Sequence, residues 1–290
     1  MSHKLHIGKL CIIGVGLIGG SVARALRECN CVDSIVGAGR NLENLQRAED
    51  LGVIDAYSID LTKAVEGADV VLVAVPLGAM QQVFEQIKPH LSAHTIVTDV
   101  GSAKQSVIAA AKQSFNELPP MFVPGHPIAG TEKSGVEASF AELFRHRRVI
   151  LTPHARTDKT ALTKVKQLWQ ACGAQVMEMD AVHHDAVLAA TSHLPHMLAY
   201  ALVDTLARMD DSQEIFEYAA GGFRDFTRIA SSDPMMWHDI CLANREQLVK
   251  VMRAFSDDLH RLCDAMEKSD SEFLKTTFTR AKNARDTFCG

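Results

Sequence analysis

Three glycines near the N-terminus separate a strand-like run from a helix-like run. Gly14, Gly16 and Gly19 follow the apolar residues 10–13 and precede residues 21–29, in which apolar side chains repeat at helical spacing. In that context the first glycine permits a tight turn, the second lets the backbone approach a pyrophosphate, and the third lets the helix pack on the strand. The helix N-terminus would offer N–H groups to the phosphates. We expect dinucleotide contacts from Gly14, Gly16, Leu17, Ile18 and Gly19; the alternative is a purely structural turn.

The end of the second strand-like run bears on which dinucleotide fits. An NAD site usually has Asp or Glu there, about 20 residues after the glycines, to accept from the ribose 2′-hydroxyl. This chain has Gly37, Gly39, Arg40 and Asn41 and no carboxylate. Two glycines leave room for a 2′-phosphate that Arg40 could bind, which favours NADP or use of both cofactors; alternatively, Arg40 is a solvated residue at a helix start. We expect cofactor contacts from Gly39, Arg40 and Asn41, and from Val75 and Pro76 at the next strand end.

Ser102 and His126 follow two further strand-like runs. Ser102 comes after residues 95–99, at a carboxyl strand end of the kind where ligands bind in open α/β sheets. Its hydroxyl could cap the next helix or face a nicotinamide and a substrate. His126 lies between Gly125 and Pro127 in a glycine-rich loop, which suits a positioned general base or hydrogen-bond acceptor; the alternative is a loop histidine bonded to a backbone carbonyl. We expect both residues to be catalytic, and Ser102 also to contact the cofactor.

Histidines cluster again in the last third of the chain. His193 and His196 flank a proline, and His183, His184 and Asp185 lie just upstream. A metal site is one interpretation. However, H-x-x-H across a proline is poor ligand geometry and no second cluster completes a ligand set, so we predict no metal.

Two arginines follow a glycine pair at residues 221–222. Arg224 and Arg228 lie in an otherwise apolar helical region, where a guanidinium is suited to bidentate binding of a carboxylate. The alternative is pairing between arginine and aspartate that joins helices.

These residues depend on an alternation of strand-like and helix-like runs. The strand-like runs are residues 10–13, 34–37, 69–75, 95–99, 122–124, 149–151 and 175–179, with helix-like runs between them. This order predicts βαβ units and an α/β Rossmann-type doubly wound sheet. After about residue 180 only helix-like runs occur, at 184–208, 214–220 and 238–267. We therefore predict a dinucleotide-binding domain over residues 1–180 and an all-α substrate and dimerisation domain over residues 181–290.

The last predicted helix carries an apolar seam. Its members repeat at spacings of four and three: Leu248, Met252, Phe255, Leu259, Leu262 and Met266. Such a seam needs a partner helix. Packing within the chain and a homodimer both meet that need.

Composition excludes several classes of function. The 290 residues include 30 basic and 35 acidic side chains, a net charge of −5, which gives no general attraction to nucleic acid or to an anionic membrane. No apolar run approaches the roughly 20 residues of a membrane span. Seven cysteines without a C-x-x-C pair indicate reduced thiols in a cytoplasmic protein.

Five ordered motifs resemble the prephenate/arogenate (cyclohexadienyl) dehydrogenase family. They are Gly14-x-Gly16-x-x-Gly19-Gly20-Ser21, Asp99-Val-Gly-Ser102-x-Lys104, Gly125-His-Pro-Ile-Ala-Gly-Thr-Glu132, Ser192-His-Leu-Pro-His196 and Phe223-Arg-Asp-Phe-Thr-Arg-Ile-Ala230. The similarity covers nearly the whole chain. It implies a Rossmann domain joined to a helical dimerisation domain, and so a homodimer.

The resemblance implies an oxidative decarboxylation in tyrosine biosynthesis. Prephenate would become 4-hydroxyphenylpyruvate, or arogenate tyrosine, with hydride transfer to NAD or NADP. His126 would bond the C4 hydroxyl and take up its proton as the ring becomes aromatic, and Ser102 would orient that hydroxyl.

The same resemblance implies a substrate pocket. It would involve His193, His196, Arg224, Arg228, Thr131, Glu132, Asp225 and Trp237. Arg228 would bind a substrate carboxylate, and Glu132, Asp225 and Arg228 would form an ionic network that gates the site. Thr131 would lie near the group that differs between the two substrates, and Trp237 would come from the other subunit.

Two other interpretations remain open. One is a different β-hydroxyacid dehydrogenase with a Rossmann and a helical domain; such enzymes use a lysine of the helical domain. The other is a non-catalytic module that senses dinucleotides and binds partners through the seam.

Overall fold

The computed structural model describes residues 5–289. The chain forms two compact units, of which the first ends at Arg245 and the second begins at Glu246. Contacts therefore group the start of the helical region with the sheet. The division at residue 180 into two functional domains stays a prediction.

Six parallel strands form the main sheet. They are β1 Ile7–Ile13, β2 Val32–Ala38, β3 Ala56–Ser58, β4 Val70–Val73, β5 Ile96–Asp99 and β6 Phe122–Val123. Their order is β3-β2-β1-β4-β5-β6, which confirms the doubly wound Rossmann sheet. The order reverses between β1 and β4, so ligands are expected at the carboxyl ends of these strands.

Helices cover both faces of this sheet. They are α1 Leu17–Glu28, α2 Leu42–Asp50, α3 Leu61–Val65, α4 Met80–Ile87, α5 Lys104–Phe115 and α6 Lys159–Ala171. Alternate residues of one strand enter different cores: Leu10 and Ile12 join one apolar cluster, while Cys11 and Ile13 join the other. Strands buried on both faces must be continuously apolar, which explains the runs seen in the sequence.

A second sheet holds the remaining strands. It contains β7 Gly125–Pro127, β8 Arg148–Leu151 and β9 Gln175–Glu178, with β7 antiparallel to β8 and β9 parallel to it. The expectation that all strands belong to one sheet is therefore wrong. His126, expected in a loop, lies on β7 and pairs with Ile150. Only Pro124 separates β6 from β7, and the chain leaves the parallel sheet at that residue.

The rest of the described chain is helical. It contains α7 Ala181–Leu188, a wider π-helical turn Ala189–His193, α8 Leu194–Ala207, α9 Ser212–Glu217, α10 Gly221–Thr227, α11 Pro234–Ala243, α12 Arg245–Glu267 and α13 Ser271–Cys289. The prediction of a single helix over 238–267 is wrong, because the helix is interrupted at Asn244 between α11 and α12. The side chain of Asn244 bonds His193 and the backbone of Asp185, which belong to other helical segments. Helix α13 was not predicted.

One helical stretch has the length and composition of a membrane span. Ala181–Ala207 has a mean hydropathy of 1.3 and is 27 residues long, which corrects the expectation that no segment approaches that length. The stretch is this long because α7, the wider turn and α8 follow one another without an interruption. It also carries four histidines and two aspartates, and helices outside membranes can have the same length and mean hydropathy.

Two cysteines are paired. Cys29 and Cys31 form a disulfide across the turn after α1, where their Cα atoms are 5.3 Å apart. The expectation that every cysteine is a free thiol is therefore wrong at this pair, because a turn brings two near neighbours together. The free thiols are Cys11, Cys172, Cys241 and Cys263, and the side chain of Cys289 lies outside the described part.

We expect Gly14→Ala to lower the free energy of unfolding by roughly 2–4 kcal/mol. A Cβ there would stand 2.3 Å from the carbonyl oxygen of Ala74, and the φ of +95° disfavours alanine. Gly16→Ala is the control: no described atom lies within 4 Å of its Cβ position, so we expect a change within about 0.5 kcal/mol. Urea unfolding followed by circular dichroism measures both, and equal losses would contradict this explanation.

Candidate active site

His126 lies at the end of a hydrogen-bonded row of three side chains. Its Nδ1 is 2.9 Å from Nε2 of His184 on α7, and Nδ1 of His184 is 2.8 Å from Oδ1 of Asp185. His184 and Asp185 are fully buried, and His126 is 8% exposed. We call these residues the Asp185–His184–His126 row. The sequence placed His184 and Asp185 in a histidine cluster and assigned neither a role.

Asp185 also caps the N-terminus of α5. Its two carboxylate oxygens accept the N–H groups of Lys104 (2.7 Å) and Gln105 (2.9 Å). The interpretation of Ser102 as the cap is wrong: the N-cap residue is Ala103, which makes no side-chain bond. Burial raises the pKa of Asp185, but the bonds from His184 and from these two N–H groups outweigh it and hold the pKa below its ordinary value.

A buried ion pair holds the residue before His126. The ammonium of Lys104 bonds the Asp99 carboxylate and the carbonyl oxygen of Gly125, the latter at 2.6 Å. The other oxygen of Asp99 accepts the N–H of Gly125 at 3.1 Å. Both charged side chains are fully buried, and burial lowers the pKa of Lys104 despite the carboxylates beside it. The pair therefore fixes both backbone polar groups of Gly125.

The surroundings of His126 keep its imidazole neutral. Burial lowers the pKa of His126 well below its ordinary value, and electrostatic repulsion from His184, Lys104 and His193 lowers it further. A neutral imidazole has one ring nitrogen able to accept a hydrogen bond. This is the state that a hydrogen-bond acceptor needs at neutral pH.

His193 and Asn244 extend the site. His193, at the end of the wider helical turn, has Nδ1 3.1 Å from the amide nitrogen of Asn244. The same amide donates to the backbone carbonyl of Asp185 at 2.8 Å. Burial lowers the pKa of His193 to about 4, although Asp185 acts in the opposite direction. Through these two hydrogen bonds, Asn244 at the end of α11 connects that helix to the Asp185–His184–His126 row.

His196 and Trp237 form a stacked pair. Their ring centroids are 3.8 Å apart with an interplanar angle of 23°, and Nδ1 of His196 lies 2.8 Å from the carbonyl oxygen of Ser192. Burial lowers the pKa of His196. Trp237 is 6% exposed and its Nε1 has no hydrogen-bond partner in the described chain. Trp237 stacks on a histidine of its own chain, and its expected contribution from the other subunit stays a prediction.

Of the three residues expected to form an ionic network, two are paired in the structure. Arg228, just after α10, forms a salt bridge with Glu132 in the loop after β7. Asp225 and Arg224 are exposed on α10, and within residues 5–289 neither forms a salt bridge. Thr131 is exposed and bonds Lys133 in its own turn. The structure therefore brings Glu132 to Arg228 but leaves Asp225 apart from them.

The glycine turn has the open surface that a pyrophosphate requires. A Cβ at Gly16 would meet no described atom within 4 Å, whereas one at Gly19 would stand 2.4 Å from the carbonyl oxygen of Gly14. No side chain caps α1, which begins at Leu17 and continues through Ile18. Its first N–H groups are therefore available to an anion, and this chain fits a dinucleotide at that place.

The end of β2 is open at one glycine. A Cβ at Gly39 would meet no described atom within 4 Å, but one at Gly37 would meet Ile54 at 2.6 Å. The expectation that both glycines leave room is therefore wrong for Gly37, which is needed for packing. Arg40 is exposed with no salt bridge in the described part of the chain, and Asn41 caps α2 by accepting the N–H of Asn44 at 2.9 Å.

The remaining predicted residues lie at neighbouring strand ends. Val75 and Pro76 follow β4 and lead into a short turn, in which Asp239 of α11 accepts the N–H of Gly78 at 3.0 Å. Ser102 is half-buried in the bend between β5 and α5. All three lie at the carboxyl edge of the sheet, after β4 and its neighbour β5.

Comparisons with known proteins agree on one family. The model described as "Prephenate dehydrogenase, nucleotide-binding domain" matches residues 22–178, and "Prephenate dehydrogenase, dimerization domain" matches residues 180–280. Cyclohexadienyl dehydrogenase of Zymomonas mobilis is 41% identical over 95% of this chain and 94% of its own length. Prephenate dehydrogenase of Bacillus subtilis is 37% identical over 95% of this chain and 74% of its own.

Solved structures give the same result. Prephenate dehydrogenase from Aquifex aeolicus, in complex with hydroxyphenyl propionate and NAD+, has a TM-score of 0.90 and 38% identity over 97% of this chain and 98% of its own. Synechocystis arogenate dehydrogenase has a TM-score of 0.80 and 27% identity over 97% of this chain and 99% of its own.

We expect Lys104→Met to lower the free energy of unfolding by roughly 3–5 kcal/mol, because the Asp99 carboxylate would stay buried without its cation. Lys112→Met, on the exposed side of α5, is the matched control and should change stability by no more than about 0.5 kcal/mol. Urea unfolding monitored by circular dichroism gives both values. A loss for Lys104→Met no larger than that of the control would show that the pair is not needed.

Proposed function

This chain belongs to the prephenate dehydrogenase family, and on that basis we propose that it catalyses the oxidative decarboxylation of prephenate, of arogenate or of both in tyrosine biosynthesis. When bound, a nicotinamide dinucleotide supplies the hydride acceptor. One observation carries the proposal: His126 is a buried neutral imidazole held at Nδ1 by His184, and its Nε2 has no hydrogen-bond partner within residues 5–289.

The chemistry explains why a neutral imidazole is useful. Hydride leaves C4 of the cyclohexadiene ring while the carboxylate at C1 leaves as CO2, and the C4 hydroxyl remains as the phenol of the product. No net proton is released. As hydride leaves, positive charge develops at C4 and is shared with its oxygen, so the O–H bond becomes more acidic. An acceptor at His126 would stabilise that charge, hold the proton during the step and return it to the phenol.

The remaining catalytic work is positioning, because aromatisation drives the reaction. Ser102, in the bend before α5, would orient the C4 hydroxyl toward the cofactor. The dinucleotide would be held by the glycine turn and the start of α1, and by the residues at the adjacent strand ends. These residues are Gly14, Gly16, Leu17, Ile18, Gly19, Gly39, Arg40, Asn41, Val75, Pro76 and Ser102.

The substrate carboxylates require a cation, and Arg228 is the residue we propose. Its guanidinium is exposed and paired with Glu132 across two segments of the chain. A substrate carboxylate could share this guanidinium, so the pair could close the site. His193, His196 and Trp237 would line the pocket, since Trp237 packs against both histidine rings. Arg224, Asp225 and Thr131 would act from the exposed rim.

We propose that NADP is accepted, alone or together with NAD. The support is the open space at Gly39 next to an exposed Arg40, and the absence of a carboxylate in residues 36–41. Arg40 could bind a 2′-phosphate with paired, charge-assisted hydrogen bonds.

The other interpretations raised by the sequence receive less support. A β-hydroxyacid dehydrogenase would need a free lysine in the helical region. In α7 and the wider turn after it, the buried polar side chains are instead those of His184, Asp185 and His193. Lys104 is buried, but Asp99 and the Gly125 carbonyl engage its ammonium. A dinucleotide sensor would have no use for a neutral buried histidine beside the substrate region.

We further propose a cytoplasmic homodimer. Three members of the seam on α12 are exposed in the single chain: Met252 at 38%, Leu259 at 46% and Met266 at 59%. Among the described residues, half of the seam is therefore open to solvent and available to a second helix. The division at residue 180 fits this proposal, with cofactor binding before it and substrate binding and dimerisation after it.

We expect His126→Asn to lower kcat by about 10²–10⁴-fold with each substrate, because the acceptor is lost. His183→Asn, on the exposed side of α7, is the control and should keep wild-type activity. Steady-state absorbance of the reduced nicotinamide measures both. Unchanged turnover in His126→Asn would exclude the proposed role.

The pH dependence follows from the same histidine. Only neutral His126 can accept, and its pKa lies well below the ordinary value of 6.5. Wild-type kcat should therefore stay constant as pH falls through 6.5 and should decline only at lower pH. A loss of activity centred on pH 6.5 would contradict a buried neutral acceptor.

We expect Arg40→Ala to lower kcat/KM for NADP by about 10–100-fold and that for NAD by less than about twofold, because only NADP carries the 2′-phosphate. Arg47→Ala, an exposed arginine of α2 paired with Glu137, is the control. Kinetics with both cofactors at saturating substrate measure the effect. An equal loss with both cofactors would show that Arg40 does not select between them.

A further inference from the structure

We propose that Asp185 and His184 are positioning residues that fix the tautomer of His126, so that its Nε2 carries a lone pair toward the substrate. The catalytic consequence rests on the function proposed above, but the tautomer can be measured without substrate. The argument follows the hydrogen bonds of the Asp185–His184–His126 row from its buried end outward.

The direction of the row is set at Asp185. Its Oδ1 accepts the backbone N–H of Lys104 and its Oδ2 that of Gln105, at 2.7 and 2.9 Å. Backbone N–H groups can only donate, so both carboxylate oxygens act as acceptors. The contact of 2.8 Å from Oδ1 to Nδ1 of His184 must then place the hydrogen on the histidine.

The same logic passes through His184 to His126. A neutral His184 with hydrogen on Nδ1 has a lone pair on Nε2. That lone pair must accept a hydrogen from Nδ1 of His126, 2.9 Å away. A neutral His126 with hydrogen on Nδ1 has its own lone pair on Nε2, the nitrogen without a partner in the described chain. An acceptor therefore faces the reacting hydroxyl.

The opposite tautomer is disfavoured at every link. If His126 carried hydrogen on Nε2, a neutral His184 would have to donate from Nε2 and direct the lone pair of Nδ1 at a carboxylate oxygen. A doubly protonated His184 would avoid that clash, but it would add a buried cation next to the ammonium of Lys104 and the ring of His193, which also act on His126. The carboxylate of Asp99 is already engaged by Lys104 and by the N–H groups of Gly101 and Gly125.

The test replaces Asp185 by Ala. Alanine removes the acceptor of the His184 Nδ1 hydrogen, and a buried donor without an acceptor is costly, so both histidines reverse and Nε2 of His126 becomes a donor. We expect kcat to fall by about 10²–10⁴-fold, with KM for the substrate changed by less than about threefold. Asp158→Ala is the matched control, since Asp158 caps α6 by accepting the N–H groups of Thr160 and Ala161 with no histidine attached. It should leave kcat unchanged.

Nitrogen-15 NMR of histidine-labelled protein reports the tautomer directly. In the full-length wild type we expect His126, assigned by comparison with His126→Asn, to be protonated at Nδ1, and in Asp185→Ala at Nε2. Protonation of wild-type His126 at Nε2, or a kcat within threefold of wild type in folded Asp185→Ala, would overturn the proposal. If Asp185→Ala does not fold, the wild-type spectrum alone decides. Turnover retained by His126→Asn would instead contradict the proposed function.

Discussion

The N–H groups at the start of α5 are satisfied by a carboxylate that lies 81 residues further along the chain. A helix N-terminus needs such acceptors, and here Asp185 supplies them from α7. Lys104 connects two segments, since its backbone N–H bonds Asp185 of α7 and its side-chain ammonium bonds the carbonyl oxygen of Gly125 in β7. One residue thus relates α7, which carries His184, to β7, which carries His126.

Buried charge is tolerated here because every charged group is bonded. Isolated charges are costly in a protein interior, yet the Asp99 carboxylate receives the Lys104 ammonium and two N–H groups. Asp185 is equally well bonded. Two carboxylates and one ammonium leave the frame of the site with one negative charge, which backbone N–H groups and the His184 ring stabilise. The groups left to face a ligand are neutral histidines. The net charge of −5 is no guide to this arrangement, because the site concentrates its charges locally.

The candidate site residues of the helical region lie where the helices depart from regularity. His193 ends the wider turn before α8, and Pro195, in the first turn of α8, lacks the N–H that a regular helix would use. Asn244 breaks the helical run between α11 and α12 and directs its amide to His193 and Asp185. These local costs are offset by the contacts that they create, which is the usual relation between irregular backbone and function.

The sequence by itself determined the parallel sheet, the glycine turn and the identity of the histidines and arginines, because periodicity and short motifs are local properties. It missed β7, since three residues contain no period to detect, and it offered Ser102 as a candidate cap of α5 because that hydroxyl lies next to the start of the helix. Only the tertiary structure decided that Asp185 caps this helix, that Asp99 and Lys104 hold Gly125, and that Trp237 stacks on His196. The reason is that buried polar groups bond the partners that folding brings close in space, and these partners can lie far apart in the sequence.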